Sequence, residues 1–400
     1  MSQSENGARG LVVIGSGMAG YGLVKELRQL DAETPITIIT ADDGRNYPKP
    51  LLSTGFTKGV TADAIASADA GTMAAQLHCS VMTRTRVTSI DTVAQTVTAA
   101  GMAIPYSKLV LALGSEAILP AMKGDALDRV FSVNSLEEYA RFRSEIEVVK
   151  ARKIAIIGGG LIGTEFTNDL INGGFETETV DPLGYCLPTL LPEVAGKTVQ
   201  EALAEKGARF HFGPLQNGVF GPVVTSVNRT EHGVVVNLNN GQIIAADLVL
   251  SAVGVRARTE LAKAAGIGCN RGIVTNSLLE TSAPNVYALG DCAEVEGLLL
   301  FYVSPLMTCA KALAKTLAGT PTEVAYPAMP VSIKVPACPV VVAPPPKGAK
   351  GEWEIEKNGR DIVARFLDPL RNLLGFALTG EGTKMKASLQ KQLPPMLGKP

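Results

Sequence analysis

At 400 residues, 46% of them hydrophobic, the chain is long enough for more than one core, because single cores stop growing at roughly 250–300 residues. Its 37 Lys and Arg against 38 Asp and Glu leave a formal net charge of −1, which excludes bulk-charge capture of nucleic acid. The six cysteines, Cys79, Cys186, Cys269, Cys292, Cys309 and Cys338, have no close spacing of the kind a metal site or dithiol relay needs.

The apolar stretch near Leu298–Val303 is far too short to cross a bilayer, and a polar start runs directly into the first strand. A cytoplasmic chain with reduced thiols is expected.

The first unit reads as a strand over Leu11–Ile14, the turn Gly15-Ser16-Gly17-Met18-Ala19-Gly20, a helix over Met18–Leu30 and a strand over Pro35–Thr40 that ends at Ala41-Asp42-Asp43. Short β-branched runs fit parallel strands covered on both faces. Gly15 allows the tight turn, Gly17 lets backbone approach a pyrophosphate, and Gly20 lets helix and strand pack closely; the helix N-terminus favours the phosphate charge. Asp42 or Asp43 falls where an acid should accept from ribose hydroxyls.

Val87 follows in a strand over Thr83–Ile90, and Tyr106–Leu113 is an apolar strand ended by Gly114-Ser115. A near-copy of the latter, Ala246–Val253, ends at Gly254; the two mark crossings between domains. Between them the first pattern returns. Lys153–Ile157 reads as a strand, Gly158-Gly159-Gly160-Leu161-Ile162-Gly163 as the turn, Leu161–Asn172 as an amphipathic helix closed by Gly173-Gly174, and Glu176–Val180 as a strand ending at Asp181.

Asp181 can accept from both ribose hydroxyls of an adenosine, whereas a 2′-phosphate would be repelled, and no Arg or Lys lies between Gly163 and Lys197. NADH is therefore favoured over NADPH. A lone glycine loop is often only a turn; the strand before, helix after and acid at the end make both of these dinucleotide sites. A duplicated domain that keeps the fold and has lost one ligand is the alternative.

The two fingerprints, the strands ending in Gly114 and Gly254, and the late segment Thr281–Asp291 with its terminal Gly290-Asp291 occur in the order seen in FAD-dependent pyridine nucleotide oxidoreductases, which the chain resembles over nearly its whole length. The resemblance implies an α/β fold with two Rossmann-like dinucleotide-binding domains. The FAD domain would be split over residues 1–118 and 250–325, the NAD domain would span 119–249, and a small α+β interface domain would occupy 326–400. FAD and NADH are the implied cofactors.

Disulfide reductases of this superfamily relay electrons through a cysteine pair, and this sequence has none at such spacing. Where single-cysteine relatives carry their thiol, it has Tyr47-Pro48-Lys49-Pro50-Leu51-Leu52-Ser53. That segment, with Tyr302–Leu306 and Lys334–Pro339, is similar to bacterial NADH:rubredoxin reductases.

The implied reaction is hydride transfer from NADH to FAD, then single electrons to rubredoxin, an acidic iron protein, as in alkane hydroxylase electron-transfer chains. Other acceptors, namely ferredoxin, flavorubredoxin or a quinone, define one alternative, and a non-enzymatic NADH-sensing flavoprotein another. The chain would act as a monomer or homodimer.

The same resemblance implies site roles. Lys49 would place its ammonium where hydride arrival leaves negative charge on the flavin, with Glu165 as counter-ion; the alternative for Glu165 is a solvated carboxylate at a helix start. Asp291 would accept from the ribityl chain while a helix beginning near Cys292 points its amides at phosphate; a plain N-cap is the alternative. Val303, ahead of a Pro305–Leu317 helix, and Lys334 would meet the flavin pyrimidine edge. His78, His211 and His232 receive no role. Arg45, Lys58, Arg256 and Arg258 are candidates for an acidic partner's docking face, or for a solvated rim.

Overall fold

The computed structural model describes residues 9–213 and 221–398; most of the polar start lies outside the described residues. The first glycine loop follows the buried strand Gly10–Ile14, which pairs in parallel with Ile36–Ile39 on one side and Met102–Leu111 on the other. Ser80–Met82 extends the sheet beyond Ile36–Ile39. On the far side Val286–Ala288 pairs in parallel with Leu109–Leu111.

A strand from late in the chain thus completes the first sheet. The core beneath it is shared in the same way, with Leu11, Val13 and Leu109 packed with Ile273, Leu289 and Leu313.

The second sheet is parallel throughout, in the order Arg209–Phe212, Glu176–Asp181, Lys153–Ile157, Leu248–Ser251, Val130–Phe131. A boundary after residue 249 would cut its strand Leu248–Ser251. Crossings between the two sheets run instead through a small antiparallel ribbon in which Ser115–Ala117 pairs with Val255–Ala257. The unit around the second sheet therefore continues to Ser251.

Residues 331–379 form an antiparallel five-stranded sheet, in the order Val331–Ile333, Val340–Ala343, Leu373–Thr379, Asp361–Leu367, Glu352–Asn358. Its buried Ile333, Val340 and Ala377 share a core with Leu187, Val199 and Leu203 of the second unit.

Three local readings change. The strand expected over Thr83–Ile90 begins only at Val87, after a left-handed turn at Arg84. Gly290–Cys292 is a single 3-10 turn and opens no helix, because Ala293–Val295 is drawn into a parallel pairing with Ile273–Thr275. The late helix spans Val303–Leu317 and holds Pro305 in its first turn, where a missing N–H costs nothing.

The middle helix does run over Leu161–Asn172, but Gly163–Leu170 is buried on every side. Its polar residues Glu165, Asn168 and Asp169 meet protein, not water, and the face is open to solvent only at the terminal Asn172.

Candidate functional site

The two glycine loops are near-identical in their steric demands. Gly15 and Gly158 have φ of +112° and +109°, and a Cβ would lie 2.2 Å from the Ala112 carbonyl oxygen and 2.6 Å from that of Ala252. Gly20 and Gly163 press their helices onto the loops, with a Cβ falling 1.9 Å from the Gly15 carbonyl oxygen and 1.8 Å from that of Gly158. Only glycine fits at these four positions.

Gly17 and Gly160 are different: a Cβ on either would meet nothing within 4 Å. Both cap their helices with extended backbone, no side-chain cap and no acid in the first turn. Their first-turn N–H groups are left for an anion. Two open cradles of this kind fit the pyrophosphates of FAD and NADH.

A continuous cavity of about 2170 Å³ joins the cradles. Every residue expected at the site lines it except Gly20 and Gly163, which sit behind the loops as packing positions. Val87, Gly254 and Val303 are on its wall; none of the six cysteines or three histidines is. Burial pushes the Cys186 and Cys292 thiols up to about 12, so neither is a thiolate at neutral pH.

Asp42 is the acid that faces the first cradle. Its Oδ1 accepts from Thr40 Oγ1 at 2.6 Å, Gly44 N–H at 2.9 Å and Ser16 Oγ at 3.1 Å. Asp43 turns away into an ion pair with Arg45 at 2.7 Å. Asp181 accepts from Gly159 N–H at 2.7 Å and Leu183 N–H at 2.8 Å, tying the end of its strand to the second loop. Burial pushes its carboxyl above the usual range, against the pull of those two hydrogen bonds.

The expected Lys49–Glu165 pair does not form; two other pairs replace it. Lys49 Nζ lies 3.2 Å from Asp291 Oδ2 and 3.1 Å from Ser115 Oγ, and Ser115 donates to the same Asp291 oxygen at 2.7 Å. Glu165 is 4% exposed, which removes the solvated-carboxylate reading. It accepts from Ser53 Oγ at 2.6 Å and Lys334 Nζ at 2.6 Å.

Lys334, just past the strand Val331–Ile333, also donates to Pro50 O at 2.7 Å, so it spans both the Lys49–Ser53 turn and the middle helix. Ser53 and Ser115 received no role from the sequence. Their only signals were positional: one ends the Tyr47–Ser53 motif, the other follows the strand-ending Gly114.

Arg45 is held by Asp43 and Asp63, and Arg256 and Arg258 both face Glu116. Lys58 is exposed and makes no ion pair among the described residues. Arg256 and Arg258 border the cavity.

Residues 9–315 match the family model described as pyridine nucleotide-disulphide oxidoreductase. The chain belongs to that family. Residues 323–393, the antiparallel sheet and its flanks, match the model of a rubredoxin binding C-terminal domain.

The chain is similar to the rubredoxin-NAD(+) reductase of Alcanivorax borkumensis, at 50% identity over 97% of this chain and 99% of that protein. It is 41% identical to the protein of the same name from Acinetobacter baylyi, over 97% and 98%. Among solved structures, a ferredoxin reductase from Rhodopseudomonas palustris shares the fold with a TM-score of 0.83 at 23% identity, covering 94% of this chain and 93% of that one. NADH:rubredoxin oxidoreductase from Clostridium acetobutylicum does so with a TM-score of 0.78 at 22% identity, covering 96% and 94%. No helix among the described residues is long and apolar enough to cross a membrane.

Proposed function

We propose that this chain is an FAD-dependent oxidoreductase that takes hydride from NADH and delivers single electrons to rubredoxin. One observation carries the reading: a single cavity joins two pyrophosphate cradles to Lys334, which extends from the domain matching the rubredoxin-binding model. Bound FAD supplies the chemistry, accepting two electrons with the hydride and releasing them one at a time.

The chain supplies binding, orientation and charge. Gly17 and the first turn of its helix hold the FAD pyrophosphate, and Asp42 Oδ2, not used by the loop, accepts from its ribose. Gly160 and Asp181 do the same for NADH, and Asp181 keeps out a 2′-phosphate by repulsion.

Lys49 and Lys334 bring two ammonium groups into the cavity, each oriented by one carboxylate. With Asp291 Oδ2 occupied, its Oδ1 is the oxygen left for the ribityl chain. Ser115 and Ser53 hold the two pairs in register. No residue here needs to move a proton for hydride transfer itself.

The FAD unit then comprises residues 1–118 and 252–325 and the NAD unit 119–251, with rubredoxin docking on 326–400 and a cytoplasmic chain acting alone or as a homodimer. Exposed Lys58, with Arg256 and Arg258 at the cavity rim, supplies positive charge toward an acidic partner. Turnover with rubredoxin should then fall as salt rises.

A second acceptor class has support of its own. The nitric oxide reductase FlRd-NAD(+) reductase of Aliivibrio fischeri is 36% identical over 96% of this chain and 98% of its own length. Anaerobic titration of the FAD-loaded protein with NADH, followed by mixing with rubredoxin, ferredoxin, flavorubredoxin or a quinone, separates the readings. Rapid bleaching and fastest reoxidation by rubredoxin is the expected outcome. Slow bleaching into a long-lived complex would instead indicate an NADH sensor.

A further inference from the structure

The helix Leu161–Asn172 carries Glu165, Asn168, Asp169 and Asn172 at the spacing that places side chains on one face. All four reach out of the second unit. Besides the contacts of Glu165, Asn168 Oδ1 accepts from Ala337 N–H at 3.3 Å, and Asn172 Nδ2 donates to Thr57 Oγ1 at 3.3 Å. Asp169 accepts from Thr57 N–H at 2.7 Å and Phe56 N–H at 3.1 Å.

Asp169 is the unusual member. It is 1% exposed, makes no ion pair among the described residues, and has only those two backbone donors, the Thr57 hydroxyl and the more distant charge of Lys334 to offset its burial. Burying a carboxylate without a paired counter-ion is costly, so its retention here asks for a reason.

The segment it grips supplies one. Phe56 and Thr57 lie just beyond the Lys49–Ser53 turn, after Thr54 and Gly55, and that stretch is tightly seated: a Cβ on Gly55 would fall 2.0 Å from Tyr139 Oη. Phe56 packs edge-on against Phe175, Tyr139 and Phe142 with centroids 5.5, 5.7 and 6.0 Å away. One end of the helix thus opens at the NADH cradle, while its second and third turns grip the segment that carries Lys49 and Ser53.

We infer that Asp169 is a positioning residue for hydride transfer, fixing the Lys49–Ser53 turn relative to the helix that begins at the NADH loop. The inference rests on the NADH-to-FAD reading given above. Asp169→Asn keeps the volume but sets an amide NH2 against one of the two N–H donors, leaving it unpaired.

In FAD-loaded Asp169→Asn, reduction by saturating NADH should slow roughly 10- to 100-fold, the scale of an ångström-level misplacement, with KM for NADH held within about twofold. The long-wavelength charge-transfer absorbance of reduced protein with NAD+ should weaken, and amide hydrogen exchange at Phe56 and Thr57 should accelerate in the FAD-free chain as well. Asp169→Glu, which keeps both acceptor oxygens one methylene further out, is read the same way if Asp169→Asn does not retain FAD. A reduction rate and charge-transfer band matching wild type in folded Asp169→Asn, or in Asp169→Glu where Asp169→Asn does not retain FAD, overturns the positioning role. A wild-type protein that NADH does not bleach overturns the hydride-transfer reading itself.

Discussion

Lys334 grips Glu165 twice: its Nζ stands 2.6 Å from Oε2, and its backbone N–H donates to Oε1 at 3.0 Å across 169 positions of sequence. This joins the C-terminal sheet to the helix that opens at the second glycine loop. Glu165 is buried, whereas the Lys334 side chain is 32% exposed, so the two halves of the pair are not equivalent.

Removing the lysine leaves a buried carboxylate with only Ser53 and a backbone N–H as partners. Lys334→Met should cost about 3 kcal/mol, the lower end of the range for breaking a buried pair, because the ammonium keeps some water. Glu165→Gln retains an acceptor and should cost about 1 kcal/mol. Urea unfolding of both single variants and the double variant checks this: a double loss equal to the sum of the singles would show that the pair is not coupled.

Lys49 is the second ammonium of the cavity, and Asp291 offsets part of its field. Lys49→Met should still lower the flavin reduction potential, by about 30–60 mV if the net loss is worth about 1.4–2.8 kcal/mol to the two-electron couple. NADH reduction should slow about tenfold or more, while FAD stays bound through its cradle and Asp42. Potentiometric titration and stopped-flow reduction read these separately. Unchanged values for both would take Lys49 out of the reaction.

At Asp181 the structure predicts an effect on the loop as well as on the ribose. Asp181→Ala removes the acceptor for Gly159 N–H and Leu183 N–H, each worth about 1 kcal/mol, so NADH efficiency should fall. Adding Leu183→Arg supplies a cation on the cavity wall and should shift the NADPH-to-NADH ratio of kcat/KM upward by about 100-fold. Retained discrimination in the double variant would show that the acid does not set coenzyme choice.

The glycine loops were legible because their demands are local. A positive φ at Gly15 and the absence of room for a Cβ at Gly20 act within one strand-turn-helix, and the repeat at Gly158–Gly163 presents the same problem twice. The Lys49–Asp291 and Lys334–Glu165 pairs were not legible. Which carboxylate meets which ammonium depends on how the three sheets pack together, and nothing in the spacing of Lys49 and Glu165 reveals that Lys334 takes Glu165 as its partner.

The burial of the middle helix escaped for a related reason. Glu165, Asn168, Asp169 and Asn172 spell a polar face, and local periodicity reads that as solvent-facing. Only the arrival of the Lys49–Thr57 segment and of Lys334–Ala337 turns it into an interface. The strand drawn at Ala293–Val295 in place of a helix has the same origin, since its partner Ile273–Thr275 is distant in sequence.

Glu178 offers a test of electrostatics away from the cavity. It lies in the middle of the Glu176–Asp181 strand, with Lys153 Nζ at 2.5 Å, His211 Nε2 at 2.6 Å and Arg209 Nη1 at 3.3 Å. Burial pushes its carboxyl up, but Lys153 and His211 outweigh it and hold the group below its ordinary value of 4.5. A folded-state value below the unfolded one means that the unfolded chain binds the proton more tightly. The stability Glu178 contributes is therefore complete above that ordinary value and lost as pH falls through the folded one. Glu178→Gln should lower Tm at neutral pH, and the difference from wild type should shrink steadily as pH drops below about 4. Thermal unfolding of both proteins across that range checks it; a Tm difference that stays constant from neutral to acid pH would show that the cluster contributes packing and not charge.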